Sequence, residues 1–193
     1  MEQQPGCLVL ENGTVFRGTR IGARKNVIAE AVFATGMNGY LETLTDPSYF
    51  GQAVVQTFPL IGNYGVIEAD FEAKKPHLSA YIVSECCAAP SNFRCGGALA
   101  EWLAAEDVPG LTGVDTRTLT RILREHGTMN AMLCDTPEQA DFAQMRAYRV
   151  QGAALNEEHI PFMHGNIVRH FKQCIVLNAL RKFLTGDLVL KPV

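Results

Sequence analysis

Through the first half of the chain, apolar and polar side chains alternate in short runs with period two, and stretches of helical period follow. Cys7 to Leu10 is apolar, Glu11-Asn12-Gly13 holds an Asn-Gly pair suited to positive φ, and Thr14 to Thr19 returns, so the opening predicts a β-hairpin. From Val27 to Thr35 the alternation puts Val27, Ala29, Ala31 and Phe33 on one side and Ile28, Glu30 and Val32 on the other. Further strands are predicted at Ala53 to Phe58, Ala80 to Ser84 and Thr128 to Cys134, each bounded by Gly, Pro or Asn.

Helical spacing enters at Leu99, Trp102 and Leu103, which predicts a helix over Ala98 to Glu106. A second helix starts at Asp115 or Thr116 as cap, carries Leu119, Ile122 and Leu123 as its buried stripe, and stops at Gly127. Thr136-Pro137-Glu138-Gln139 combines a capping Thr, Pro at the first helical position and Gln at the third, which predicts a helix running toward Ala147. The fold class read from this order is α/β of the α+β type, strands first and then helices. A domain over residues 1–150 is expected, with residues 151–193 as a C-terminal appendage in which Val168, Phe171 and Ile175 open a helical spacing within Ile167 to Leu184.

Composition narrows the function classes. The 193 residues are 47% hydrophobic and 19% charged, enough to bury a substantial core. Net charge is -3; twelve basic and seventeen acidic residues leave the first 150 positions at -5, and the remainder at +2. Such a balance offers no phosphate-seeking field, so nucleic acid is not an expected partner. The N-terminus lacks a secretory pattern, and no stretch approaches the roughly 18 apolar residues of a membrane span, so a cytoplasmic protein without membrane contact is expected. Six cysteines without an export signal read as reduced thiols, and neither Cys-x-x-Cys nor paired histidines suggests a metal.

No self-contained catalytic constellation emerges. Cys95, followed by Gly96 and Gly97, has half the setting of an activated thiol, but no Gly-x-Cys-x-Gly element surrounds it, so it reads as structural. Nucleotide phosphate loops are missing too, and no cofactor is expected. The histidines at 77, 126, 159, 164 and 170 are scattered and read as surface or cap residues. Residues Thr35 to Tyr49 are dense in turn formers, and Asp46-Pro47-Ser48 presents a short hydroxyl on a bend, which fits a structural turn or a ligand contact. Arg117, Arg121 and Arg124 lie at i, i+4 and i+7 opposite the leucine stripe. They form either a solvated basic face or an electrostatic strip for docking an acidic partner.

Six motifs in order carry a resemblance. Leu8 to Phe16, Phe33 to Tyr40, Leu44 to Tyr49, Pro59 to Gly65, Ser91-Asn92-Phe93-Arg94 and Asp115 to Arg124 together resemble the small subunit of glutamine-hydrolysing carbamoyl-phosphate synthase. The resemblance covers roughly residues 7–150 and implies a domain of the swivelling β/β/α type. In that family the small subunit is a glutamine amidotransferase. It hydrolyses glutamine and passes ammonia to a large ATP-using subunit, which makes carbamoyl phosphate, a ligase reaction feeding arginine and pyrimidine biosynthesis. The glutaminase centre belongs to a further C-terminal domain, and nothing after Val150 matches its nucleophile elbow, so no catalytic residue carries over. Family likeness does imply one ligand residue: Ser48, whose counterpart reaches toward the glutamine pocket of the neighbouring domain. Two functions are therefore expected in competition. One is the N-terminal docking domain of the small subunit, with glutamine bound only in a complete subunit; the other is a non-catalytic remnant or free-standing interaction module.

Overall fold

The computed structural model describes residues 4–149. In chain order the elements are β1 (Pro5–Leu10), β2 (Val15–Gly22), β3 (Val27–Ala34), α1 (Tyr40–Thr45), β4 (Gln52–Gln56), β5 (Leu60–Ile61), β6 (Ala80–Ile82), β7 (Glu85–Cys86), α2 (Leu99–Ala105), β8 (Pro109–Thr112), α3 (Thr116–His126), β9 (Met129–Cys134) and α4 (Phe142–Ala147), with three short 3-10 turns between them. The class is mixed α/β, rich in strands. Helices are interleaved among the strands, which corrects the expected order of strands first and helices afterwards. The tail 151–193 and its helical spacing at Ile167 to Leu184 lie outside the described residues.

Seven strands close into a barrel in the order β1-β2-β8-β6-β4-β3-β9. The four strands β3, β4, β6 and β8 run parallel, whereas β1, β2 and β9 pair antiparallel with their neighbours. Side-chain alternation decides what fills it. Leu8, Leu10, Ala29, Ala31, Ala53, Val55, Ala80, Ile82, Leu111, Ala131 and Leu133 form one buried cluster, and the many alanines let so narrow a barrel be packed solid rather than hollow. The alternate positions Val54, Tyr81 and Val83 join Leu41, Leu44, Leu99 and Leu103 in a second cluster outside the barrel wall. Parallel strands buried on both faces need this second cover, which α1 and α2 supply.

Helix α3 closes one end. It leaves the C-terminal end of β8 and returns to the start of β9, and its Leu119 and Leu123 join the interior cluster. Of the two expected caps, Asp115 and Thr116, it is Asp115 that serves, its carboxylate accepting from Thr118 N at 2.9 Å and Thr118 Oγ1 at 2.7 Å. At its C-terminus Gly127 N donates to Leu123 O at 2.9 Å.

Two predicted spans differ from the outcome. The helix expected from Thr136 toward Ala147 is divided into a 3-10 turn, Pro137–Gln139, and α4, because Asp141 intervenes as a second cap and accepts from Ala143 N and Gln144 N. Local side-chain bonding of this kind competes with helix continuation. The Thr35 to Tyr49 segment, read as turns, contains α1, and β8 was not foreseen at all. Its Pro-Gly-Leu-Thr sequence has poor strand propensity, yet a Cβ at Gly110 would meet Tyr81 O at 2.8 Å and Ile21 Cγ1 at 2.9 Å. A side chain there would obstruct the pairing with β2 and β6 that makes this segment a strand.

Candidate functional site

Because β3, β4, β6 and β8 are parallel, the loops after them gather at one rim of the barrel, where α3 lies across the opening. Loops positioned by a rigid sheet carry a disproportionate share of binding residues. A groove of about 920 Å³ runs here between rim and helix, lined by Thr35, Thr57, Pro59 and Ser84 from the loops and by Asp115, Thr116, Arg117, Thr118, Thr120, Arg121, Arg124 and Glu125 from α3 and its cap. Arg117, Arg121 and Arg124 are exposed, share one helix face as the spacing predicted, and form no ion pair among the described residues. Thr120 Oγ1 is buried without a hydrogen-bond partner. The hydrogen bond from Thr118 N, then that from its hydroxyl, holds the Asp115 carboxylate below the usual carboxylate range.

The loops themselves are tied together by aromatic and backbone contacts. Tyr40 stacks on Tyr64 with ring centroids 4.1 Å apart, Tyr64 Oη accepts from Tyr40 N at 3.3 Å, and Tyr40 Oη donates to Gly65 O at 2.6 Å. Burial pushes the Tyr40, Tyr64 and Tyr81 phenols up, so they stay protonated donors. Gln56, 1% exposed, reaches from β4 to donate to Gly36 O at 2.9 Å and fixes the loop after β3. Beyond these ties Met37 and Phe93 project into solvent, 75% and 97% exposed.

Ser48 does not line the groove. It is exposed on the 3-10 turn Pro47–Tyr49, where Asp46 Oδ1 accepts from its backbone N at 2.8 Å and Pro47 is buried beneath. The residue therefore sits exposed on a bend that this hydrogen bond holds. Cys95 packs against Gly65, and its thiol donates to Gly97 O at 3.3 Å, so it holds its own loop. The Cys86 thiol is pushed up to about 11, by burial first and then by Cys87, and stays un-ionised at neutral pH. Among the described residues, no group of three or more His, Cys, Asp or Glu side chains is arranged to hold a metal, and no helix is long and apolar enough to cross a membrane.

The arginine face was legible in sequence; the groove was not, since Thr35, Thr57 and Ser84 come from three loops that only parallel pairing brings alongside α3. Fold and site together define a mixed α/β barrel domain with a basic, hydroxyl-lined groove at one rim. Residues 8–133 match the family described as carbamoyl-phosphate synthase small chain, CPSase domain, and the chain belongs to that family. It is similar to the carbamoyl phosphate synthase small chain of Bacillus caldolyticus, 52% identical over 127 residues, covering 66% of this chain and 35% of the relative. It is 46% identical over 153 residues to that of Symbiobacterium thermophilum, covering 75% and 42%. The pyrimidine-specific small chain of Halalkalibacterium halodurans is 49% identical over 138 residues, covering 72% and 38%. The chain thus spans between 35% and 42% of the length of these relatives. An aminopeptidase from Aneurinibacillus sp. strain AM-1 superposes with a TM-score of 0.40 at 20% identity over 69% of this chain and 33% of that one, a likeness too slight to bear on function.

Proposed function

We propose that this barrel is the N-terminal docking domain of a cytoplasmic, glutamine-dependent carbamoyl-phosphate synthase small subunit, of the swivelling β/β/α type. It works by seating on the large ATP-using subunit and completing one edge of a glutamine site. Family membership across nearly the whole barrel carries this reading. The surface supports it: Arg117, Arg121 and Arg124 present three positive charges on one rigid face, suited to steering an acidic partner. Ser48, exposed on its pinned turn, is the residue that extends toward glutamine. Chemistry on glutamine is not assigned to this barrel, since Cys95 is engaged with Gly97 O and Cys86 is held protonated.

The test is reconstitution with the cognate large subunit. Co-purification at low salt is expected. The combined Arg117→Ala, Arg121→Ala and Arg124→Ala variant should bind about tenfold or more weakly there, with the gap narrowing as salt is raised toward about 0.5 M. Absence of any complex at low salt would sink the docking role and favour a free-standing module.

A further inference from the structure

The pairing of β1 with β9 closes the barrel, and Cys7 faces Cys134 directly across it. Leu8 and Leu10 point inward, so Cys7 and Val9 lie on the outer face, where they cluster with Cys134 and Met145. The two sulfurs are 3.6 Å apart. Opposed residues of antiparallel strands have Cα atoms about 4.5 to 5.5 Å apart, inside the range a disulfide spans, so only a small side-chain rotation separates this pair from bonding distance.

Beside the thiols sits a charged group with spare capacity. The Arg20 side chain is 4% exposed, its Nε lies 3.4 Å from Asp135 Oδ1, and its Nη2 donates to Lys25 O and Asn26 Oδ1. Its Nη1 is buried with no hydrogen-bond partner. The guanidinium attracts negative charge on either sulfur, while burial, the larger effect, pushes the Cys134 thiol up to about 12 and keeps it protonated at rest. Over the pair lies α4, six residues long, in which Met145 is the one buried side chain. Met145 packs into the cluster that holds both sulfurs, and although Asn130 Nδ2 ties the helix end through Met145 O and Tyr148 O, fraying a helix this short costs less than opening the barrel.

We propose that Cys7 and Cys134 form an oxidisable pair, which a small peroxide converts to a disulfide that locks the barrel seam. One of the two thiols gives up its proton and attacks a peroxide oxygen as the thiolate; the O–O bond breaks, the departing hydroxide takes up that proton and leaves as water, and a sulfenic acid remains on sulfur. The second thiol attacks that sulfur; the S–S bond forms, the S–O bond breaks, and a second water carries away the remaining protons. Two electrons pass from the sulfurs to one hydrogen peroxide, giving one disulfide and two waters.

The experiment treats the reduced full chain with hydrogen peroxide under native conditions, blocks remaining thiols and maps tryptic peptides. Residues 1–17 joined to residues 125–146 is the expected product, because each of those peptides holds a single cysteine. The bridge ties positions 127 apart in sequence, so Tm should rise by on the order of 10 °C and fall back on reduction. Cys134→Ala should abolish both the linked peptide and the rise. If that variant does not fold, the map of the unaltered chain decides: Cys7 and Cys134 recovered fully blocked as free thiols, or bridged to other cysteines, overturns the proposal.

Discussion

At the residue scale, Asp115 links a local hydrogen bond to pH. Its carboxylate caps α3, and its lowered pKa means the folded state prefers the charged form. The stabilisation is therefore fully present above the ordinary carboxylate range near pH 4 and is lost as pH falls through the lower folded value. Asn caps a helix about as well as Asp but does not titrate. Asp115→Asn should leave Tm at pH 7 nearly unchanged while making the acid limb of Tm against pH shallower; an identical acid limb would show that the cap does not titrate with folding. Gly65 is constrained differently. It has φ of 72°, and a Cβ there would sit 2.2 Å from Cys95 Sγ and 2.8 Å from Gly97 O. Gly65→Ala should cost about 1 to 3 kcal/mol by urea denaturation. Adding Cys95→Ala should restore only part, because the Gly97 carbonyl and the backbone strain remain; complete rescue would place the whole cost on the sulfur.

Elements show where local pattern sufficed. The hairpin β1–β2, strand β3 and helices α2 and α3 were readable because each carries its own period and punctuation, and Asp115 and Gly127 bound α3 at the predicted ends. Helix α1 escaped for lack of length: six residues between Gly39 and Asp46-Pro47 give one and a half turns, too few to establish a period against so many turn formers. Burial of Tyr40, Leu41, Leu44 and Thr45 against the second cluster makes it a helix, and Thr45 Oγ1 accepts from Glu72 N at 2.9 Å to hold it there. For α3 the energetic claim is sharper, since Leu119 is fully buried in the end of the barrel. Leu119→Ala should lower stability by about 2 to 4 kcal/mol in urea melts, whereas Arg121→Ala on the opposite face should change it by less than about 0.5. Equal effects would mean that α3 does not plug the barrel.

At the scale of the whole molecule, closure depends on joining β1 to β9, with Cys7 and Cys134 separated by 127 positions. Contacts so distant in sequence impose loop-closure entropy before they contribute stability, so folding on the millisecond-to-second scale is expected in stopped-flow refolding; a microsecond phase carrying the full signal would contradict the barrel. The sequence by itself determined the strands with strong alternation, the capped helix α3, the shared face of its three arginines and the family. Each of these depends on neighbours a few residues away or on motifs read in order. Tertiary structure alone decided that Pro-Gly-Leu-Thr becomes β8, that the sheet closes, and that three loop hydroxyls meet the arginine face in one groove. Those outcomes depend on which strands lie side by side, and strand pairing is a long-range choice set by packing at positions such as Gly110, where the absence of a side chain leaves room for the neighbouring backbone.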